Sequence, residues 1–270
     1  MGVLDLGNWL RARAVGSTDI ANKRKDMAPK RAEVVGWVLD TSKAQFLWDD
    51  PRRAAETGGS RQHAKSVGNC PAVNDFNSRL WEVATPFDLR LGFARDAGGR
   101  PTLIDLDGDQ SAVRARLLQQ FVAMVAEKEW RHPERPIIQI TTPYIFFSDA
   151  SVWMSQTPPF LSVTAHKWPG VVIGGRLPIH IWPRRMMWAF EWWQTDQELR
   201  LVRGEPWFYL WFESNDPSRH IRMTEAEMTQ ELREHINGAE AVANYVNRTF
   251  SLFRIARNRR PKRLLLAKRR

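Results

Sequence analysis

Six consecutive residues, Trp207-Phe208-Tyr209-Leu210-Trp211-Phe212, are apolar at both strand parities. A strand alternates its side chains between two faces, so a run like this needs cover on both sides. That excludes a one-sided sheet at this position and points to a strand in the middle of a layered β domain. Apolar runs at Ile137–Phe147, Val152–Met154, Val171–Ile173, Leu177–Trp182, Met186–Trp192 and Leu199–Val202 precede it, punctuated by Pro143, Pro158, Pro159, Pro169, Pro178, Pro183 and Pro206. Proline cannot donate to a strand ladder and sits at strand ends and edges, which suits short antiparallel strands better than parallel βαβ units. The expected fold is mainly β (α+β): an antiparallel β-sandwich or jelly-roll-like core with a few helices and extended terminal arms.

Four regions follow from the composition along the chain. Residues 1–69 read as an N-terminal arm and loop region. Val3, Leu4, Leu6, Trp9 and Leu10 form a short amphipathic block, followed by a polar stretch around Asn22–Lys25. Short strands are expected at Val34–Leu39 and Ala44–Trp48, then a loop over 49–69. Residues 70–214 read as the sandwich core, with further strands at Leu80–Ala84, Phe87–Phe93 and Leu103–Leu106 and a hairpin turn at Gly98-Gly99-Arg100-Pro101. Inside it, Leu117, Leu118, Phe121, Val122 and Val125 share one helical face and predict a helix over Ala112–Trp130. Residues 215–247 read as a helical segment over 223–236, with Thr224 and Glu227 as a capping box and Gly238 as its stop. Residues 248–270 read as a basic C-terminal arm.

The net charge of +10, from 40 basic and 30 acidic residues, lies entirely in that arm. From Arg248 onward the chain holds Arg254, Arg257, Arg259, Arg260, Lys262, Arg263, Lys268, Arg269 and Arg270 and no acidic residue. Cations without counter-charges repel one another unless something neutralises them, so these residues are candidates for contact with nucleic acid, an acidic partner or a membrane surface. The alternative is a solvated end that only aids solubility. Leu264, Leu265 and Leu266 sit between two basic clusters. With Leu4, Leu6, Trp9 and Leu10 they are candidate anchors for assembly with neighbouring subunits. Removing 248–270 is expected to leave a near-neutral, folded core.

Of the 13 tryptophans, nine lie between Trp130 and Trp211. Exposed rings of this kind stack on bases or glycans, whereas buried ones fill a wide core or an interface, the reading preferred for strands apolar on both faces. Asp105, Asp107 and Asp109 resemble half of a calcium loop. Its sixth and twelfth positions hold Gln110 and Arg116 instead of Gly and Glu, so the match fails and a charged turn is expected. His132, Glu134 and His180 have the ligand types of a two-His-one-carboxylate iron site, with Arg184 or Arg185 to hold a dicarboxylate cosubstrate. Two prolines and Arg135 around His132 argue against it. The single cysteine, Cys70, excludes an intramolecular disulfide and a multi-Cys zinc site; it reads as a buried small hydrophobe. No phosphate-binding loop, dinucleotide glycine fingerprint or Gly-x-Ser-x-Gly elbow is present.

Cys70-Pro71, Asp75, Pro86-Phe87-Asp88, Thr142-Pro143-Tyr144-Ile145-Phe146-Phe147, Pro158-Pro159-Phe160, Pro183-Arg184-Arg185, Ala189-Phe190-Glu191 and Arg203-Gly204-Glu205-Pro206 with Tyr209 occur in that order. The order resembles an uncharacterised family of contractile-tailed phages of marine and proteobacterial hosts. The resemblance covers residues 70–214 and implies a phage-borne or phage-derived protein. It carries over no catalytic residue.

The expected function is therefore a non-enzymatic structural or assembly protein of a larger complex such as a virion, oligomeric, using its arms to bind neighbours or nucleic acid, and needing no cofactor or metal. The alternatives are a jelly-roll iron/2-oxoglutarate-type oxygenase and a nucleic-acid-binding module acting through the tail. No stretch approaches the ~18 apolar residues of a membrane span, and Asp5, Arg11 and Arg13 interrupt the first 20 residues where a secretory signal needs an apolar core. The expected location is the virion or the cytoplasm of the host cell.

Overall fold

The computed structural model describes residues 32–40, 47–54, 66–111, 121–216, 218–243 and 249–268. Among them, in chain order, are β1 (Glu33–Leu39), β2 (Arg52–Arg53), α1 (Pro71–Ser78), β3 (Leu80–Ala84), β4 (Leu89–Arg95), β5 (Pro101–Asp105), β6 (Val122–Met124), β7 (Ile137–Ser148) and β8 (Val152–Thr157). They continue with β9 (Gly170–Val172), β10 (Gly175–Leu177), β11 (Arg185–Trp192), β12 (Leu199–Leu201), β13 (Pro206–Ser214), β14 (Ile221–Glu225), α2 (Gln230–Ala243) and α3 (Thr249–Arg259).

Three curled sheets result. The largest runs β14-β1-β7-β11-β9, with β6 also on β7; the second runs β10-β8-β13-β3-β2; the third is β12-β4-β5. Every pairing is antiparallel except β1 with β14, where Val35 lies opposite Met223. The two larger sheets face each other across one core. Trp37, Tyr144, Phe146, Trp188, Phe190 and Trp192 enter it from one side, and Val83, Met154, Trp207, Phe208, Leu210 and Phe212 from the other. The mainly β, sandwich-like expectation therefore stands.

The run that demanded cover on both faces has it. In β13 the register shifts between Pro206 and Phe208. Such a bulge changes which way successive residues point, and here Trp207 and Phe208 both join the core. Tyr209 points the other way, with Leu80 and Ala54 in a second apolar cluster flanked by Leu161 and Trp211. The outer face of the largest sheet is covered as well: Val38, Ile145 and Phe147 pack against Leu232 and Ile236 of α2 and against Leu264. Close approach is glycine-dependent at one edge, where a Cβ on Gly170 in β9 would lie 2.0 Å from the Glu191 carbonyl oxygen.

Several boundaries differ from the sequence reading, each for a tertiary reason. The core is not confined to 70–214, because β1 and β14 both lie in the largest sheet, with Val35 fully buried between them and the core. The helix expected over Ala112–Trp130 does not extend through its second half: Val122–Met124 pairs with Ile138–Ile140 as β6, and residues 112–120 lie outside the described residues. The helix expected at 223 begins at Gln230, since Met223 and Thr224 are strand residues beside β1. The Oγ1 of Thr229, not of Thr224, accepts a hydrogen bond from the Leu232 N–H at 3.1 Å, so Thr229 caps this helix. Gly238 lies inside α2 rather than ending it. Residues Leu177–Trp182 are not one strand, because Pro178 takes the chain into turns immediately after β10. Cys70, expected to be buried, is half-buried at the start of α1, a helix entered through Pro71.

Candidate interaction surfaces

The C-terminal segment is built onto its own fold, which corrects the expectation of an extended arm. In α3, Leu252 and Ala256 are buried, and Phe253 meets Trp182 edge-on at 5.6 Å. Beyond the helix the chain turns back along the largest sheet. The Glu227 N–H donates to the Leu266 carbonyl at 2.8 Å, and the Lys268 N–H donates to the Glu225 carbonyl at 3.0 Å. Leu264 is 2% exposed, so this candidate assembly anchor is used within the chain. Leu265 packs half-buried beside it and Leu266 stays largely exposed. The other anchors, Leu4, Leu6, Trp9 and Leu10, lie outside the described residues.

A carboxylate that the sequence reading did not single out holds this segment. Asp149, in the turn between β7 and β8, accepts from the Leu264 N–H at 2.7 Å and the Leu265 N–H at 3.2 Å. It also pairs with the Arg260 guanidinium at 3.0 Å. Arg260 further donates to the carbonyls of His180 and Ser148. With only 15% of its side chain exposed, Arg260 is a structural clamp and is withdrawn from the candidate nucleic-acid contacts. Lys268 is engaged too, at 2.6 Å from Glu225.

What stays free is a cationic face. Arg254, Arg257, Arg259, Lys262 and Arg263 are all exposed, and among the described residues none of them pairs with a carboxylate. Elsewhere many arginines are neutralised: Arg52 by Glu82, Arg79 by Asp75, Arg90 by Glu198, Arg131 by Glu191 and Arg185 by Asp40. The last turn of α3 carries Arg257 and Arg259, where the helix dipole favours positive charge. Arg254 lies a turn earlier and has no such compensation. Arg269 and Arg270 lie outside the described residues.

Two histidines sit under the same segment. His180 donates from Nδ1 to the Val152 carbonyl at 2.9 Å, while Nε2 lies 3.3 Å from the Ser151 hydroxyl. His235 is 6% exposed and donates from Nε2 to the Ile181 carbonyl at 3.1 Å. Burial, reinforced by Arg260 beside both rings and by Arg257 beside His180, holds both below the ordinary histidine range. In each case the unfolded chain binds the proton more readily than the folded one. Stability should therefore be complete above about pH 6.5 and fall as the pH drops through that value, by at most about 1.4 kcal/mol per pH unit for each histidine. Thermal melts between pH 8 and 5 should show this decline, and it should shrink in His235→Gln; an equal decline in that variant would remove His235 as a cause.

These positions also break up the candidate iron site. His180 is tied to β8 beneath the C-terminal segment, whereas His132 and Glu134 are exposed turn residues whose only mutual contact is Glu134 N–H to His132 Nδ1 at 3.2 Å. Among the described residues no three His, Cys, Asp or Glu side chains are placed to hold one metal ion. Of the tryptophans expected to fill the core, Trp130, Trp188, Trp192 and Trp207 are buried, Trp153, Trp168, Trp182 and Trp211 are partly buried, and Trp193 is 52% exposed.

A second surface lies on the outer face of the β13 sheet. Phe76 of α1 rests 5.1 Å from Trp211 and 5.9 Å from Phe160, and Phe160 meets Tyr209 edge-on at 5.3 Å. Phe76 is 41% and Phe160 38% exposed. Trp211 leads from this aromatic shelf into a groove of about 260 Å³ walled by Arg53, Asp75, Arg79, Arg219 and His220. Phe76 was missed because α1 was not anticipated; Pro71 after Cys70 was the available signal, a proline at the first helical position. Among the described residues no helix is long and apolar enough to cross a membrane. No protein-family model matches the chain, and no curated protein matches its sequence.

Proposed function

We propose that this protein is a non-enzymatic assembly subunit that binds a polyanion, nucleic acid in the first instance, through the cationic face of α3 and the chain end that follows it. The observation that carries the reading is the contrast in neutralisation. Arg254, Arg257, Arg259, Lys262 and Arg263 are exposed and, among the described residues, without a carboxylate partner, on a segment that Asp149 and Leu264 hold against the fold. Cations fixed on a helix lose less freedom on meeting phosphates than the same cations on a loose tail, so they bind more productively. A virion is the setting that the resemblance of residues 70–214 implies, and it offers both nucleic acid and repeated copies of a subunit.

The test is a salt titration of binding to duplex DNA. Each phosphate neutralised contributes roughly −0.9 to the slope of log K against log salt, so the five free cations give about −4 to −5. The triple variant Arg254→Gln, Arg257→Gln, Arg259→Gln should lose most of that slope while melting only slightly lower, because among the described residues none of the three pairs with a carboxylate and only the dipole contribution of Arg257 and Arg259 is lost. Salt-insensitive binding, or equal slopes for both proteins, would overturn the proposal.

A further inference from the structure

We propose that the cleft between the 164–168 turn and β12 binds a nucleoside phosphate, with the phosphate between Lys167 and Arg200 and the base against Trp168. The inference goes beyond the polyanion face, since no residue of α3 or of the chain end lines this cleft. The cleft measures about 330 Å³, inside the range of ~300–1,000 Å³ common to small-molecule sites. Its walls are fixed to each other without a ligand. The Pro169 carbonyl accepts from the Trp193 N–H at 2.8 Å and from the Gln194 N–H at 3.0 Å. The Trp168 indole donates from Nε1 to the Arg200 carbonyl at 3.0 Å, and its ring stands perpendicular to Trp188 and Phe190 at 5.9 and 6.3 Å. Buried Trp192 donates from Nε1 to the carbonyls of Gln194 and Gln197 at 3.0 and 3.2 Å, which holds the turn that carries Gln197. A ring and a turn already held in place lose little freedom when a ligand docks.

The class of ligand follows from the charges and from what stands beside them. Lys167 and Arg200 are exposed, and among the described residues neither pairs with a carboxylate. Glu198, the one acid lining the cleft, is already engaged: Arg90 donates to it from Nε at 3.1 Å and holds its carboxyl below the ordinary range. Thr164 donates its hydroxyl to Glu205 at 3.3 Å. Two cations without a counter-charge attract an anion, and a phosphate has an oxygen for each of them. Trp168 adds an aromatic ring of the kind on which bases stack. The Gln197 side-chain amide is exposed and makes no hydrogen bond among the described residues. A carboxamide carries a donor and an acceptor side by side, the pair that matches N6 and N7 of adenine. Bare phosphate would use neither the ring nor the amide, and an uncharged nucleoside would leave both cations unpaired. A nucleoside phosphate uses all four groups, either as a free nucleotide or as one unit of a single strand.

Calorimetric titration with adenosine 5′-monophosphate at low salt tests this. The wild type is run beside the variant Arg254→Gln, Arg257→Gln, Arg259→Gln, so that the α3 cations play no part. Both proteins should bind one equivalent with the same affinity. Lys167→Gln and Arg200→Gln should each weaken binding by about tenfold, the scale of one hydrogen bond to a charged group. Gln197→Ala should weaken the nucleotide by about fivefold and leave the weaker binding of inorganic phosphate unchanged. All three replace exposed side chains, so circular dichroism should stay that of the wild type. A hexadeoxyadenylate that binds more tightly than the mononucleotide would identify a single strand as the source; equal or weaker binding of the hexamer would identify the free nucleotide. Absence of saturable binding, adenosine or inorganic phosphate binding as tightly as the nucleotide, or an unchanged affinity in both cation variants would each overturn the inference. None of these outcomes bears on duplex binding at α3, so the two proposals fail separately.

Discussion

Replacing Trp207 with alanine should destabilise the protein by about 3–5 kcal/mol, the range for deleting a fully buried large aromatic. Trp207 is 0% exposed, lies 5.6 Å from Trp188 and stacks on Trp48 at 6.2 Å and 26°. It thus touches the facing sheet and the 47–54 segment at once, and neither can collapse into the vacancy without breaking its own packing. Total stabilities of domains are about 5–15 kcal/mol, so the variant should unfold at a much lower urea midpoint with little change in slope. Val163→Ala is the control: at 76% exposure it should shift stability by no more than about 0.5 kcal/mol. A Trp207→Ala loss below about 1 kcal/mol would mean that the two sheets are not packed through this ring.

The second large effect is expected at Asp149. Asp149→Ala removes the acceptor for the Leu264 and Leu265 amides and the partner of a guanidinium that is 15% exposed. Hydrogen bonds to a charged group contribute about 1.5–3 kcal/mol each. Partial exposure of Asp149 and the remaining carbonyl partners of Arg260 discount the sum, leaving a loss of about 3 kcal/mol. Limited proteolysis should cut after α3 in the variant before the core is attacked, since local opening precedes global unfolding where contacts are few. Deleting 248–270 should be worse, because Ile145 and Phe147 then lose Leu264 from their cover. An unchanged urea midpoint in Asp149→Ala would restore the picture of a detachable arm.

That reversal shows where the sequence stopped being informative. The apolar stripe through Leu252, Phe253 and Ile255 and the Leu264–Leu266 triplet were legible as sticky. A stripe records that a segment wants cover, not which surface supplies it. Asp149 gave no signal, because a carboxylate in a turn next to Pro-free polar residues looks the same whether solvated or clamping two amides 115 residues away. Arg260 could not be told from Arg259, its neighbour, although one is clamped and the other free.

The sequence by itself determined the layered β architecture. Trp207–Phe212 is apolar at both parities, and Pro158, Pro159, Pro169, Pro178, Pro183 and Pro206 stand between runs or at their ends, both properties local to the chain; Pro143, by contrast, lies within β7 rather than at a strand end. It determined as well that the excess charge is confined to one end. Tertiary structure alone decided the edges of the core, since Val34–Leu39 becomes an inner strand only by finding Ile221–Glu225 and Tyr144–Ser148 on either side. It decided that Val122–Met124 is strand rather than helix, because the amphipathic period there is outweighed by pairing with Ile138–Ile140. It also separated the clamped cations from the free ones and His132 from His180, because distance between residues remote in sequence is set by how the sheets stack, and no spacing along the chain encodes it.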